Sequence, residues 1–347
     1  MNGQKFVRRV MPSAGTVAAI QAITLRRMIT APENRCFAQR NGATFRRSLK
    51  IAGGRWGKMR VSLIANPVSG GNARARIERA AGWFRGQGAE VELLLTERRG
   101  DARAYAAGLR DSDCARVVVA GGDGTLNEVA NGLCGSRLPV AFLPLGTVNV
   151  FALETGIPLA LEAACRLALT GQPRRISLGQ IGDDVFLLMA SAGWDAAAVA
   201  RLRPALKRRL GRLAYAVSAL EALWLSPPQP LELILADGTC RRGFGVVASN
   251  ARCYGGRYLI TPGASLSSDR LELCLLRRGS RLAMLGYALR LGLHRPLHPP
   301  AVEFHSVATV TVRGRGVQVQ VDGDPRGTLP VTLSCRPDAL TVVLPEN

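Results

Sequence analysis

The sequence predicts an α/β domain built on a parallel sheet, followed by a second, β-rich domain. Three observations carry that expectation. From Met59 onward, short β-rich runs alternate with amphipathic stretches, the order that builds a parallel sheet covered by helices on both faces. Turn-rich strings at 66–71, 121–125 and 144–149 each follow such a run. They therefore fall at the carboxyl ends of strands, where open α/β sheets bind ligands. After residue 172 the texture changes to short strands with few helices.

The elements follow in order. Arg60–Ala65 reads as a strand and runs into the loop Asn66-Pro67-Val68-Ser69-Gly70-Gly71. Ile77, Ala80, Ala81 and Phe84 recur at helical spacing. Val91–Leu95 is the next strand, and Ala102, Tyr105, Ala106 and Leu109 mark the next helix. Arg116–Ala120 leads into Gly121-Gly122-Asp123-Gly124-Thr125, and Leu126, Val129, Ala130 and Leu133 place a helix directly behind. Val140–Leu143 ends at Pro144-Leu145-Gly146-Thr147. In the second half, Ile176–Ile181 and Val185–Ala190 read as strands, and 196–225 as a long helical stretch with Pro204 as a break. Leu231–Leu235 and Phe244–Ala248 read as a hairpin across Ala236-Asp237-Gly238. Further strands are expected at 271–276, 308–313, 316–321 and 339–344.

With 347 residues the chain is long enough for two domains. Its net charge of +21 favours anionic partners such as nucleotide phosphates or an anionic membrane. Residues 1–58 hold twelve Lys and Arg against one acid, Glu33, and show little periodicity. They are expected to form a basic, disordered extension outside the fold. Residues 59–172 are then expected to make the α/β domain. Residues 173–347 are expected to make the β-rich domain, with its C-terminal end left open to return to the first. The eight cysteines include no CxxC pair or zinc spacing, and reduced thiols are expected. Nucleic acid is not an expected partner: aromatic residues are 5% and no stacking platform shows.

The chemistry centres on Gly121-Gly122-Asp123-Gly124-Thr125. Glycine-rich backbone passes close to a ligand, and the helix behind it offers free N–H groups to phosphate. Asp123 is not needed for the turn. Beside a phosphate it implies a proton acceptor or a partner for Mg²⁺. Asn66–Gly71 is a second turn-rich loop at a strand end, and its position there points to the same site. Walker A, protein-kinase and zinc-protease motifs are missing.

The string from Gly121 to Leu133 resembles the catalytic domain of diacylglycerol kinases, shared with sphingosine and ceramide kinases and bacterial lipid kinases. The resemblance spans nearly all of 59–347. It implies a nucleotide domain related to phosphofructokinase and NAD kinase, a β-sandwich, and an active site between them. It also implies ATP and Mg²⁺, and a lipid alcohol as acceptor. By this resemblance the nucleotide is held by Asn66, Ser69, Gly70, Gly71, Thr96, Gly121, Gly122, Gly124, Thr125, Glu128, Gly146, Thr147 and Asn149. Asp123, with Asp322 and Asp324 of the late Asp322-Gly323-Asp324 element, forms the catalytic acidic set. Gly193 and Asp195 line the acceptor site, and Asn250, Tyr254-Gly255-Gly256 and Pro262 match a further element. Asp269, with the carbonyls of Leu266 and Leu271, matches a structural Mg²⁺ site. Three departures stand out: Val150 where many members carry Asp, Asp324 where Glu is usual, and Arg270 where Gly is common.

Diacylglycerol is the leading acceptor and a sphingoid base or other lipid the next. An NAD kinase-like enzyme and an inactive nucleotide-binding regulator are the alternatives. A cytoplasmic protein in peripheral contact with anionic membrane is expected. Leu206, Leu210, Leu213, Val217, Leu220 and Trp224 share one helical stripe behind the basic cluster Arg203, Lys207, Arg208, Arg209 and Arg212. That pattern suits either a membrane surface or core packing. The oligomeric state is not readable.

Overall fold

Strands rich in Val, Leu, Ile and Ala need cover on both faces, and the first half of the chain supplies it. The computed structural model describes residues 59–202 and 213–346. The basic extension 1–58 and the cluster from Arg203 to Arg212, with Pro204, Leu206 and Leu210, lie outside the described residues. Strands β1 (Arg60–Ala65), β2 (Glu90–Leu95), β3 (Arg116–Gly121) and β4 (Val140–Pro144) pair in parallel in the order β2-β1-β3-β4. Helix α1 (Ala73–Gly86) buries Ile77, Ala80, Ala81 and Phe84. Helix α2 (Asp101–Gly108) buries Ala102 and Ala106, and α3 (Asp123–Leu133) buries Leu126, Val129, Ala130 and Leu133. Two more helices, α4 (Val150–Thr155) and α5 (Leu161–Thr170), follow β4. The side chains of α1 and α5 share one core with the sheet, and those of α2 and α3 another.

The second half adds β5 (Gln172–Ile181), β6 (Asp184–Phe186), β7 (Met189–Gly193), α6 (Trp194–Ala200), α7 (Leu213–Leu225), β8 (Leu231–Leu235) and β9 (Cys240–Gly243). Then come β10 (Gly245–Ser249), the short pair β11 (Cys253–Tyr254) and β12 (Tyr258–Leu259), β13 (Leu271–Leu276) and α8 (Arg281–Gly292). The chain closes with β14 (Val302–Val307), β15 (Thr309–Arg313), β16 (Gln318–Val321), β17 (Asp324–Thr328) and β18 (Val331–Leu344). Six strands form an antiparallel sheet ordered β14-β13-β10-β7-β16-β17. It faces an antiparallel wing of the first sheet, where β18 continues from β4 and carries β15, β8 and β9. Ala190, Val246 and Leu273 of one layer meet Leu233, Val312 and Leu333 of the other in one core. This is a β-sandwich fused to a parallel α/β sheet. The last strand lies beside β4 through Val342 and Val140.

Four sequence expectations change. The hairpin partner of β8 is β9, not 244–248, because β10 crosses to the other sheet and pairs with β7 and β13. Gly243 marks the crossing: a Cβ there would lie 2.5 Å from the Leu275 side chain. The expected strand 185–190 is two strands, β6 and β7, with their connection pinned by Asp322. The long helix over 196–225 is described as α6 and α7. The second half also holds α8, which the sequence reading left out because its apolar residues run round the whole helix.

Gly132 is where α3 meets α2. A Cβ on it would lie 2.5 Å from the Arg103 carbonyl and 2.7 Å from the Ala106 Cβ. Helix propensity alone favours alanine in a helix by about 1 kcal/mol. Overpacking here reverses that sign, and Gly132→Ala is expected to lose about 1–3 kcal/mol in urea unfolding. A stabilised variant would show that the two helices yield freely.

Candidate active site

In the order β2-β1-β3-β4, the chain leaves β1 in one direction and later returns to its other side, so a crevice opens between the ends of β1 and β3. The Asn66 amide donates to the Ala120 carbonyl at 2.9 Å, tying the first loop to the end of β3. Asn66 Nδ2 donates to Thr125 Oγ1 at 3.4 Å, and its Oδ1 accepts from the Val68 amide. Thr96, at the end of β2, is buried and donates through its amide to the Ala65 carbonyl at 2.9 Å. In the loop that follows, Asp101, the first residue of α2, accepts from the amides of Glu97 and Arg98 and so closes the loop before the helix. Those amides hold its carboxyl below the usual range.

The glycines of the crevice divide by cause. Gly70 has φ +96°, and a Cβ there would lie 2.4 Å from the Leu145 carbonyl oxygen. A Cβ on Gly146 would lie 2.8 Å from the Gly122 Cα, and one on Gly121 would strike the Thr125 side chain. These three are glycine for the fold's sake. Gly122 is different. Its backbone is extended, and a Cβ there would meet nothing closer than Ser69 Oγ at 3.4 Å. Neither torsion nor packing requires glycine at this position, and its bare backbone borders the open crevice. Gly71 and Gly124 also have open space where a Cβ would be, and Thr147 is exposed.

Two polar groups here are unspent. Asn149, at φ +54°, donates through Nδ2 to the Gly146 carbonyl at 2.8 Å. Its buried Oδ1 has no partner among the described residues. Glu128, part-buried on α3, has no hydrogen bond or ion pair among the described residues.

Asp123 does structural work the sequence did not announce. Its two oxygens accept from the amides of Val150 (2.8 Å) and Phe151 (3.0 Å) and so cap α4. Val150 itself is buried in the apolar core. One turn later Glu154, nearly buried, pairs with Arg252 Nε at 2.9 Å and accepts from the Cys253 amide at 2.9 Å. The next residue, Tyr254, donates its hydroxyl to Asp195 at 2.8 Å. A continuous line of bonds thus runs from the Gly-rich turn to Asp195.

Asp195 opens α6 just after Gly193, whose φ of +131° and close approach to the Gly245 Cα exclude a side chain. The Asp195 carboxylate is part-buried and also accepts from Ser191, whose hydroxyl accepts from Gln320 Nε2 at 2.7 Å. Burial raises its carboxyl above the ordinary value, while the Ser191 and Tyr254 donors pull the other way. Asn250 donates to the carbonyls of Ser177 and Leu187, holding the start of the same loop.

The two late aspartates separate. Asp322 points inward and accepts from the amides of Leu187, Leu188 and Met189 and from Asn127 Nδ2, at 2.8–2.9 Å. It clamps α3 to the second domain, helped by Asn131, which bonds the backbone of Val185. Asp324 lies half-exposed and pairs with Arg99 of the loop before α2 at 2.8 Å. Asp184 links Arg103 and Arg326 at 2.7 Å each. The residues read as a metal site sit on another loop. Asp269 is exposed, the Leu266 carbonyl accepts the Ser177 amide at 2.7 Å, and Leu271 pairs with Val307. Arg270 reaches the Ser306 carbonyl at 2.6 Å. Among the described residues, no group of three His, Cys, Asp or Glu is placed to hold a metal.

Residues 60–181 match the diacylglycerol kinase catalytic domain, and 189–344 match the C-terminal NAD kinase beta sandwich-like domain of YegS. A probable lipid kinase, YegS-like, from Chromohalobacter salexigens is 30% identical over 277 residues, 78% of this chain and 89% of that protein. A diacylglycerol kinase from Mycobacterium tuberculosis is 30% identical over 304 residues, 83% of this chain and 96% of its own length. The crystal structure of a diacylglycerol kinase from Bacillus anthracis superposes with a TM-score of 0.63 at 18% identity, covering 82% of this chain and 97% of that one, which shows a shared fold.

Asp322 also titrates unusually. Burial pushes its carboxyl up to about 6, against the pull of its four donors. An unfolded Asp ionises near 4, so the native chain holds this proton more tightly. The stability it contributes is present in full below pH ~4 and is lost as the pH rises through about 6. The loss is about 3 kcal/mol for a shift of this size. Asn also tolerates the positive φ at this position. The difference in urea stability between wild type and Asp322→Asn is therefore expected to change by that order from pH 4 to pH 7, with the wild type losing ground. Parallel profiles would contradict the assignment.

Proposed function

Because the chain belongs to the diacylglycerol kinase catalytic-domain family of lipid kinases, we propose that it transfers the γ-phosphate of ATP to the hydroxyl of a lipid alcohol, with diacylglycerol as the first candidate. The observation that carries this reading is the bare backbone at Gly122, in a crevice joined by bonds to a part-buried carboxylate at Asp195. The loops after β1 and β3 present the phosphate side. Gly122 and the free amides opening α3 face the anion, with Ser69 and Thr125 hydroxyls beside them.

Phosphoryl transfer depends on positioning and charge neutralisation, with a base near the attacking hydroxyl. Asp123, oriented by two amides, is the base that takes the acceptor's proton. Asp195, oriented by Ser191 and Tyr254, accepts a hydrogen bond from the lipid head group. A hard divalent ion such as Mg²⁺ fits this donor set only together with the nucleotide, since it binds through one or two carboxylates, water and phosphate. Glu128 is the carboxylate for it, and the ion would neutralise charge on the transferring phosphate. Arg99 and Asp324 join the loop before α2 to the late hairpin and hold the edge of the crevice. Asp322 shapes the site without facing it.

The direct test supplies γ-labelled ATP and Mg²⁺ with dispersed diacylglycerol, sphingosine or NAD in separate reactions. Label in phosphatidic acid is the expected result. Label confined to the sphingoid product or to NADP would reassign the acceptor, and no transfer to any of them would refute kinase activity.

Gly122→Ala isolates the nucleotide part of the reading. The backbone tolerates the substitution, so the melting temperature should stay within a few degrees. ATP affinity by calorimetry should fall about tenfold or more, because the methyl occupies the ligand's space. Unchanged affinity in the folded variant would move the nucleotide elsewhere.

A further inference from the structure

Helix α8 carries its apolar residues on the wrong side for a helix that only packs. Met284 and Tyr287 face inward and are buried, and the Tyr287 hydroxyl donates to the Ala301 carbonyl at 2.7 Å. Outward stand Leu282 (81% exposed), Leu285 (47%) and Leu289 (60%), with Leu293 just beyond the helix end. At 100° per residue these leucines fall in one stripe, with Arg281 on one flank and Arg290 on the other. A surface helix normally turns polar residues to this side. The stripe continues onto α7, where Ser218, Ala222 and Leu223 are buried but Leu220 and Trp224 are exposed. Arg281 fastens the two helices, donating to the carbonyls of Leu223 and Trp224 and lying 5.4 Å from the Trp224 ring centroid.

Along α8 the charge has one sign. No acidic residue occurs between Glu272 and Glu303, a span with five arginines. Arg281, Arg290 and Arg295 are exposed, and no carboxylate pairs with them among the described residues. An apolar stripe flanked by unpaired arginines, with Glu221 of α7 part-buried between Leu220 and Trp224, is complementary to an anionic lipid surface, where leucines enter the acyl boundary and arginines meet head groups. Both helices are also fastened beside the acceptor group. The Trp194 indole, next to Asp195, donates to the Ala219 carbonyl of α7 at 3.1 Å. Tyr258, in the β11–β12 element that supplies Tyr254, stacks on His294 beyond α8 at 5.4 Å.

We propose that the outward face of α8, with Leu220 and Trp224 of α7, docks the enzyme on an anionic bilayer and so brings the membrane to the Asp195 side of the site. The proposal rests on a lipid acceptor for its purpose, but its test needs no turnover. The full chain is floated, without ATP or Mg²⁺, with vesicles of phosphatidylcholine alone or mixed in equal parts with phosphatidylglycerol. Brominated-acyl lipid reports Trp224 as the fluorescence difference between wild type and Trp224→Phe.

The wild type is expected to float with the anionic vesicles and to show bromolipid quenching that Trp224→Phe lacks. Leu282→Gln/Leu285→Gln/Leu289→Gln should weaken flotation about tenfold or more at any salt concentration, with an unchanged melting temperature, because the leucines are exposed. Arg290→Gln/Arg295→Gln should weaken it about fivefold per arginine at low salt and little at high salt. Equal flotation of wild type and the leucine variant, or no quenching of Trp224, would overturn the proposal. So would a wild-type dimer that the leucine substitutions dissolve while no vesicle binding occurs. If flotation behaves as expected but no lipid is phosphorylated from detergent, the docking surface stands and the kinase reading falls.

Discussion

The site depends on one carboxylate that bonds away from its own loop. Asp123 sits in the turn after β3, yet both its oxygens accept from the first amides of α4, which belongs to the connection after β4. A helix of six residues has little stability of its own. Capping by Asp123 at one end and the Glu154 pair with Arg252 and Cys253 farther along fix it from outside. Through α4 the Gly-rich turn and the loop ending at Tyr254 are held to each other. The carboxylate is thus a structural tie between two loops that the chain reaches 27 and 28 residues apart.

A second set of ties crosses the chain at its late hairpin. Asp322 takes four donors inward while Asp324, two residues on, turns outward to Arg99. The positive φ at Asp322 and Gly323 lets the hairpin present both faces. The Gln320 side chain accepts from the Gly323 amide and donates to Ser191, so the hairpin also steadies Asp195. Burying Asp322 is costly, as its raised titration shows. That cost is tolerated because the clamp holds α3, and with it the Gly-rich turn, against the second domain.

Much of this was legible in the residues because periodicity reports burial. Ile77, Phe84, Leu126 and Leu133 were assigned to inward helix faces from spacing alone, and all are buried. The position of the crevice was legible because strands alternating with helices put the turns at 66–71, 121–125 and 144–149 at one end of a parallel sheet. The ties were not legible. Glu154 and Arg252 look like ordinary surface residues in the sequence, and only the fold makes them a nearly buried pair 98 positions apart. Asp322 read as a member of an acidic cluster because sequence does not say which way a side chain turns. Helix α8 was overlooked because its leucines do not follow the inward pattern that periodicity detects. Its inverted exposure is what marks it as a surface for something apolar.

Hydrogen exchange offers the most direct test of the central tie, read at single amides. In wild type, the amides of Val150, Phe151 and Cys253 should all be protected, because Asp123 and Glu154 accept from them. In Asp123→Asn, exchange should quicken at Val150 and Phe151 and also at Cys253, since loosening α4 frees Glu154 from its partners. Faster exchange at Val150 and Phe151 with Cys253 as protected as before would show that α4 does not join the two sides of the site.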